Sequence, residues 1–487
     1  MLFNSIEFLL LFLPVFLAGF YYACRPESRV SPQHWIVAAS FCFYAYWDWR
    51  YLPLLIAAIV VNHWIGSHLL ASKSRGWLTA GIVFNLSVLA FFKYVDFFLG
   101  SWGALTGEPL GVVGIVLPLA ISFTTFEHIA FLVDSYRGNV HRAAGAGQRA
   151  QPYALCEYAL FIAYFPQLIA GPIFHHREML PQFQRVTRGY TVPADDVSRG
   201  LVLIIVGLFK KVFIADSLAR WVNPAFDQVH LLSMYDAWTA TLGYTLELYF
   251  DFSAYCEIAM GLGLLMGIRL PLNFNSPYKS RDIQEFWRRW HITLGRWLRD
   301  YLYIPLGGSK HGFPATAAAL FTTFLLGGLW HGAGWQFVWW GALHGAYMVV
   351  FRLWQRQPVR LPAGAAQALT LLAVILAWVP FRAHTVADAV TMYAAMFGFG
   401  GTSLPIAYSA FPVLESIATV QYSPFFNGME LWAVLALFGF VLRAANVHEY
   451  LATEFRPTWR PAIEMTALAT VVAFYLGTPS TFLYFQF

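Results

Sequence analysis

The sequence predicts an all-α protein that crosses a membrane many times, and three observations carry that prediction. The chain is 58% hydrophobic and only 12% charged, against about 25% charged in ordinary soluble domains, and its mean hydropathy is +0.54. Apolar windows of roughly 20 residues, long enough to span a bilayer core, recur along all 487 residues. Basic residues collect in alternate loops between those windows, as cytoplasmic loops require. A large soluble helical protein would show a polar face every three to four residues; 52–61 and 317–326 have no such face.

The first five expected spans are 6–24, 34–47, 51–70, 77–99 and 111–133. The opening stretch has no basic n-region and no clean small-x-small site, so it reads as an uncleaved first span. Arg25 and Arg29 follow the first span, Lys73 and Arg75 the third, and Arg137, Arg142 and Arg149 the fifth, while 101–110 holds no positive charge. This alternation puts the N-terminus outside and the basic loops in the cytoplasm. Cys24, Cys42, Cys156 and Cys256 are scattered, without CxxC or zinc spacing, and are expected as buried free thiols.

The run 154–174 has basic flanks on both sides and two proline breaks, at Phe165-Pro166-Gln167 and Gly171-Pro172. A re-entrant segment explains this better than a proline-kinked span, and broken backbone at membrane depth survives only where protein or water satisfies it. A span at 197–221 contains Lys210-Lys211, and a long one at 238–266 carries Glu247, Asp251 and Glu257. Acids in an apolar helix need a polar interior; ion pairing with the lysines and a direct substrate role both remain open. Spans at 314–330, 335–351, 365–381, 431–442 and 463–483 follow, with a short helix expected at 386–397. The alternation closes on about twelve spans plus one re-entrant segment, in a single domain over 1–487. Its parts are 1–134 (N-terminal spans), 135–312 (core with the re-entrant and basic segments) and 313–487 (histidine-bearing and C-terminal spans).

Residues 269–310 hold eight basic residues against three acids, which places them on the cytoplasmic face. On one helix at about 100° per residue, Trp287, Trp290, His291, Leu294, Trp297, Leu298 and Tyr301 form a stripe about 120° wide, with four arginines on a separate arc. This is an amphipathic interfacial helix, with His291 at the stripe's edge. His331 stands in an apolar run beside Gly327-Gly328 and Gly332. Such glycines admit close backbones or a ligand. A neutral imidazole there can accept a hydroxyl proton, or it can simply pack and hydrogen-bond. His344 is thirteen residues on, about 220° away on a continuous helix, so the two would not share a face. His128, beside Glu127, is a weaker candidate, and His175-His176 reads as solvated at the cytoplasmic surface. No nucleotide loop, GxSxG or metal-spaced cluster is present, so no metal is expected. The basic segment suits a phosphate-bearing donor or anionic lipid heads.

Several stretches resemble the membrane-bound O-acyltransferase family, and within it the bacterial alginate O-acetyltransferase branch. They are LPLAISFTTFEHIAFLVDSYRG at 117–138, FPQLIAGPI at 165–173, YFDFSAYCEIAMGLG at 249–263, NFNSPYKS at 273–280, FWRRWHITLGRWLRDYLYIPLGG at 286–308, GLWHGAGWQFVWWGALHG at 328–345, VPFRA at 379–383 and the terminal FLYFQF. The resemblance implies a ring of about eleven to twelve transmembrane helices around a thin centre with a central tunnel. It implies His331 and His291 as catalytic residues. His331 is the general base; His291, with Trp287, Arg288 and Trp290, shapes the donor channel. Asn273, Asn275, Asp251, Tyr255, Gln167 and Trp330 line the site or hold its helices. The implied donor is acetyl-CoA or another acyl thioester, with no tightly bound cofactor. The implied partners are a periplasmic SGNH-hydrolase-like acyltransferase, a polysaccharide acceptor and membrane lipid, with no nucleic acid, at the bacterial inner membrane. Departures are Gly295 where relatives carry serine, the lead-in Lys279-Ser280-Arg281-Asp282, and the pair Glu127-His128. The expected function is O-acetylation of a cell-surface polysaccharide such as alginate. Its rivals are D-alanyl transfer to teichoic acid, peptidoglycan O-acylation, and a transporter or flippase without covalent chemistry.

Overall fold

The structure, a computed structural model, describes residues 1–108, 111, 113–138, 153–169, 171–410, 421–477 and 483. Arg142, Arg149, Ala170 and all of the terminal FLYFQF except Leu483 lie outside the described residues. The chain forms two compact units, Met1–Gly207 with Tyr255–Leu272, and Leu208–Ala254 with Asn273–Phe487. Among the described residues six helices are long and apolar enough to cross a membrane, and the chain is a largely helical, multi-pass membrane protein.

The first unit contains α1 (Leu13–Ala23), α2 (Pro32–Asp48), α3 (Leu52–Ser72) and α4 (Arg75–Thr106). Proline opens α2 and α3, where its missing N–H costs nothing, whereas α1 continues directly from a π turn over Glu7–Phe12. Only 17% of the apolar window of α4 is buried, and Phe91, Phe98 and Trp102 face outward, as lipid-facing side chains do. A specific polar contact joins α3 and α4: Asn62 and Asn85 exchange side-chain hydrogen bonds of 3.1 and 2.6 Å. Of the four free cysteines, Cys24 and Cys256 are buried as expected, but Cys42 is exposed on α2.

The expected fifth span is helical only as α5 (Ile121–Arg137). Upstream, Asp96 accepts backbone N–H bonds from Val113, Gly114 and Ile115 at 2.8, 3.1 and 3.3 Å. With Pro118 and the left-handed Ala120 (φ 61), this holds the approach out of a helix. The run 154–174 is broken, as its prolines predict. α6 (Leu155–Ala163) stops at Tyr164, and α7 (Phe165–Leu168) is a single turn. No helix long enough to span follows among the described residues of 165–175. Protein satisfies the break: Phe165 N donates to Ser40 Oγ at 3.2 Å, and the Phe165 ring packs 4.8 Å from Phe16 and 5.5 Å from Phe43. α8 (His176–Arg185) and α9 (Ala194–Phe209) follow.

The expected span 197–221 is α9, a π turn at Lys210–Ala215, and α10 (Asp216–Asp227). α11 (Met234–Leu265) is 89% buried over its apolar window, a core helix rather than a lipid-facing one. Its residues 234–254 belong to the second unit and 255–265 to the first.

The second unit continues with α12 (Ile283–Arg289), α13 (Ile292–Leu298), α14 (Gly312–His331), α15 (Trp335–Trp354), α16 (Ala363–Arg382) and α17 (Val386–Met396). Helices over Met429–Arg443, Val447–Thr453 and Trp459–Tyr475 follow, so the last one ends short of the expected 483. A two-residue parallel pairing joins Ser403–Leu404 to Gln421–Tyr422. Asp236, at the start of α11, holds that loop by accepting from Ser423 and from Ser403.

Candidate functional site

α14 and α15 form a tight hairpin because glycines line their contact. A Cβ on Gly328 would lie 2.3 Å from Phe337 O, and one on Gly341 2.5 Å from Phe324 O. The turn is Gly332 to Gly334, both extended, and His331 closes α14 at its tip. The side chain is enclosed, 6% exposed. Its ring meets Trp330, Trp340 and Phe381 edge-on at 4.9, 5.0 and 5.3 Å.

The break overturns the expectation that His331 and His344 stand on different faces. That angle assumed a continuous helix; the chain instead folds back, and the Trp340 indole packs 5.0 Å from His331 and 4.9 Å from His344. His344 is fully buried. Trp287 Nε1 donates to its Nδ1 at 3.3 Å, which leaves the proton on Nε2. Among the described residues, that Nε2, like Trp340 Nε1, is buried without a hydrogen-bond partner. Sequence reasoning set His344 aside; the signal was the Gly-x-Gly at 332–334, which ends a helix.

His291 also lies at a break. The expected single amphipathic helix is two, because Trp290 is extended and His291 left-handed at φ 44. The segment from Asn273 to Asn275 causes this by pairing with the exposed backbone: Ile292 N donates to Asn273 O at 3.0 Å and Asn275 N to Arg289 O at 2.9 Å. Asn273 Oδ1 then accepts from Thr293 N at 3.2 Å and Thr293 Oγ1 at 2.9 Å, and lies 3.2 Å from His291 Nδ1. His291 is 1% exposed rather than at a stripe's edge, and its ring stands edge-on to Phe252 at 4.9 Å. Burial pushes its imidazole down to about 3, so it is neutral at pH 7.

The two histidines are joined through rings. From His291 the contacts run to Phe274 at 6.4 Å, Trp290 at 5.0 Å, Trp378 at 4.9 Å, Trp340 at 6.0 Å and His331 at 5.0 Å. Trp287 and Trp330 join this cluster, and Arg288 is exposed on α12. Asn275 is occupied by structure, its Oδ1 accepting from Asn446 at 3.0 Å. Asp251 pairs with Lys211 at 2.8 Å and accepts from Leu483 N at 3.0 Å, and Lys211 also binds Asp216 at 2.7 Å.

Two expected site residues belong to the first unit. Tyr255 donates to Asn4 Oδ1 at 3.0 Å, and the buried Gln167 donates to Glu127. In the same unit His128 Nδ1 lies 2.6 Å from the Tyr158 hydroxyl. His176 is not solvated but fully buried: α5 delivers Asp134, whose Oδ2 lies 3.0 Å from His176 Nε2 and 3.3 Å from His175 Nε2. Burial holds the His176 imidazole below its usual value, against the opposing pull of Asp134. These three residues converge closely enough to hold a metal ion, a grouping that chain spacing hid. Arg137 and Arg177, 4.0 and 3.9 Å from the other Asp134 oxygen, make it an ion-pair network as it stands.

The sequence model of the membrane-bound O-acyltransferase family matches residues 41–379, which include every candidate above. The chain is 38% identical to a peptidoglycan O-acetyltransferase of Helicobacter pylori, covering 100% of this chain and 98% of that protein. It is 39% identical to the probable alginate O-acetylase AlgI of Azotobacter vinelandii, covering 100% of both. It is 28% identical to a teichoic acid D-alanyltransferase of Bacillus subtilis over 53% of this chain and 65% of that protein.

Proposed function

The chain belongs to the membrane-bound O-acyltransferase family and is an O-acyltransferase, and from that premise we propose that it moves an acetyl group from cytoplasmic acetyl-CoA across the bacterial inner membrane for O-acetylation of a cell-surface polysaccharide. A periplasmic SGNH-hydrolase-like partner takes the group onward. Residues 1–487 work as one membrane domain. The observation that carries this reading is His331, enclosed by aromatic rings at the tip of a glycine-tight hairpin and linked through further rings to the neutral His291.

In the proposed step His331 takes the proton of the acceptor hydroxyl as the oxygen attacks the thioester carbonyl carbon. The C–O bond forms, the C–S bond breaks, and the imidazolium returns the proton to the leaving thiolate. His344 Nε2–H, buried and with no hydrogen-bond partner among the described residues, is the donor suited to the carbonyl oxygen as it gains charge. His291 with Trp287 and Trp290 shapes the donor channel, and the exposed Arg288 suits the donor's phosphates. Trp330 walls the His331 pocket. Asn273, Asn275 and Asp251 hold the elements that carry it, and Tyr255 and Gln167 act in the same supporting way within the first unit.

The test is label transfer in membranes supplied with radiolabelled acetyl-CoA and the native partner. Wild type should pass label to a periplasmic protein or glycan. His331→Ala should lose at least about 10²-fold of that transfer with expression unchanged. A well-expressed wild type that never consumes acetyl-CoA overturns the donor assignment. The two full-length relatives are named for different glycans, peptidoglycan and alginate, so alginate and peptidoglycan acceptors belong in the same assay. The D-alanyl alternative predicts label only from a carrier-borne D-alanyl thioester.

A further inference from the structure

The base of the α14–α15 hairpin, remote from His331, carries two adjoining cavities. One of about 580 Å³ runs between α15 and α16, with a mainly apolar lining that includes Val350, Phe351 and Leu369, and with Arg281 and Arg360 in its wall. The other, about 360 Å³, shares Gln355 with the first and is lined by Arg352, Arg356, Ser309 and Phe313. Among the described residues none of these four arginines forms a salt bridge. Arg352 Nε is buried without a hydrogen-bond partner, and Arg356 lies 4.0 Å over the Phe313 ring. Asp282 also reaches the larger cavity, but its Oδ1 is engaged by Glu285 N at 2.7 Å.

Arg360 Nη1 also donates to Gln357 O at 2.6 Å and Val359 O at 3.2 Å. Four clustered guanidinium groups with no acidic partner among the described residues suit an anion, and their planar forks match phosphate oxygens. The apolar cleft beside them calls for hydrocarbon. Its rim residues Val350 and Leu369 are 62% and 57% exposed, so it opens through apolar side chains, toward lipid rather than water. The basic loop after α15 belongs to the cytoplasmic face by the positive-inside rule, where basic pockets between helices hold anionic headgroups.

We propose that this pair of cavities is a binding site for an anionic phospholipid, with the headgroup phosphate on Arg352 and Arg356, flanked by Arg281 and Arg360, and one acyl chain in the α15–α16 cleft. The site is separate from the acyl-transfer reading and does not depend on it. A free anion or the acyl donor would share the phosphate chemistry, but neither would use the hydrocarbon cleft.

The test is native mass spectrometry on the delipidated full-length protein in detergent, titrated with dioleoylphosphatidylglycerol or dioleoylphosphatidylcholine. The anionic lipid should bind at least tenfold more tightly. Arg352→Gln with Arg356→Gln should erase that preference, Ala373→Phe in the cleft should weaken the anionic lipid severalfold, and Arg443→Gln elsewhere should change nothing. Equal binding of the two lipids to wild type overturns the proposal without any variant. So does a preference that survives the double arginine replacement. Displacement of the lipid by inorganic phosphate or by acetyl-CoA at equal concentration also overturns it, assigning the cavities to a free anion or to the donor.

Discussion

His291 is where backbone, hydrogen bonding and burial meet in one residue. Its left-handed φ of 44 is uncommon for a side chain other than glycine, and Asn273 helps to hold it there. Asn273→Ala removes the acceptor for Thr293 N and Thr293 Oγ1 inside a fully buried site. It should lower stability by about 1–3 kcal/mol, read as a drop in thermal midpoint in detergent; an unchanged midpoint would show that the break holds itself. Burial lowers the His291 pKa from 6.5 to about 3. The unfolded chain therefore binds more protons between those values, and stability falls as pH drops below 6.5. His291→Gln should reduce the loss of thermal midpoint between pH 7.5 and pH 5, and an identical loss in the variant would count against a buried neutral imidazole. His291, His331 and their flanking tryptophans were recognisable from residue type and motif. His344 was not, because its role depends on where a helix stops.

The α14–α15 hairpin is the element on which the site stands. Gly328 and Gly341 face backbone atoms of the opposite helix, which cannot give way. Gly328→Leu should force the helices apart and cost about 3 kcal/mol, with label transfer lost as His331 and Trp340 move out of register. Gly327→Ala is the matched control: its added Cβ meets only Leu298 Cδ1 at 3.4 Å. It should leave both the thermal midpoint and transfer near wild type. Because Gly→Ala and Gly→Leu both raise helix propensity, equal damage from the two changes would show that the hairpin does not depend specifically on the close backbone approach at Gly328. The sequence pattern placed both helices and the break between them, since Gly-rich punctuation is local. It left open whether the glycines made room for a backbone or for a ligand.

For the whole molecule, the buried Lys211 does long-range work within the second unit. At 1% exposure it bridges Asp216 and Asp251, and Asp251 also binds the backbone of Leu483. This tie gathers the α10 start, the middle of α11 and the C-terminal region. Lys211→Met leaves two buried carboxylates without their cation and should cost about 3–5 kcal/mol. Combining it with Asp251→Leu should recover part of that loss, whereas additive damage in the double variant would show that Lys211 and Asp251 do not act as a pair. Ion pairing and a substrate role for the acids of α11 were equally open from the chain, and for Asp251 the ion pair is the geometry present.

Hydropathy, charge alternation and motif order are properties of neighbouring residues, so membrane class, family, the apolar runs and the two candidate histidines could be read without coordinates. So could the proline-broken backbone near Pro166. Pairings between distant residues could not. Asp134 with His176, His344 with Trp287, and Asp251 with Leu483 each depend on the fold bringing together side chains far apart in sequence. The same holds for Trp290–His291, where a helical pattern yields to a competing strand of backbone from Asn273. Periodicity reports how one helix would lie if nothing else touched it; only packing against the rest of the chain decides where it breaks and which buried groups meet.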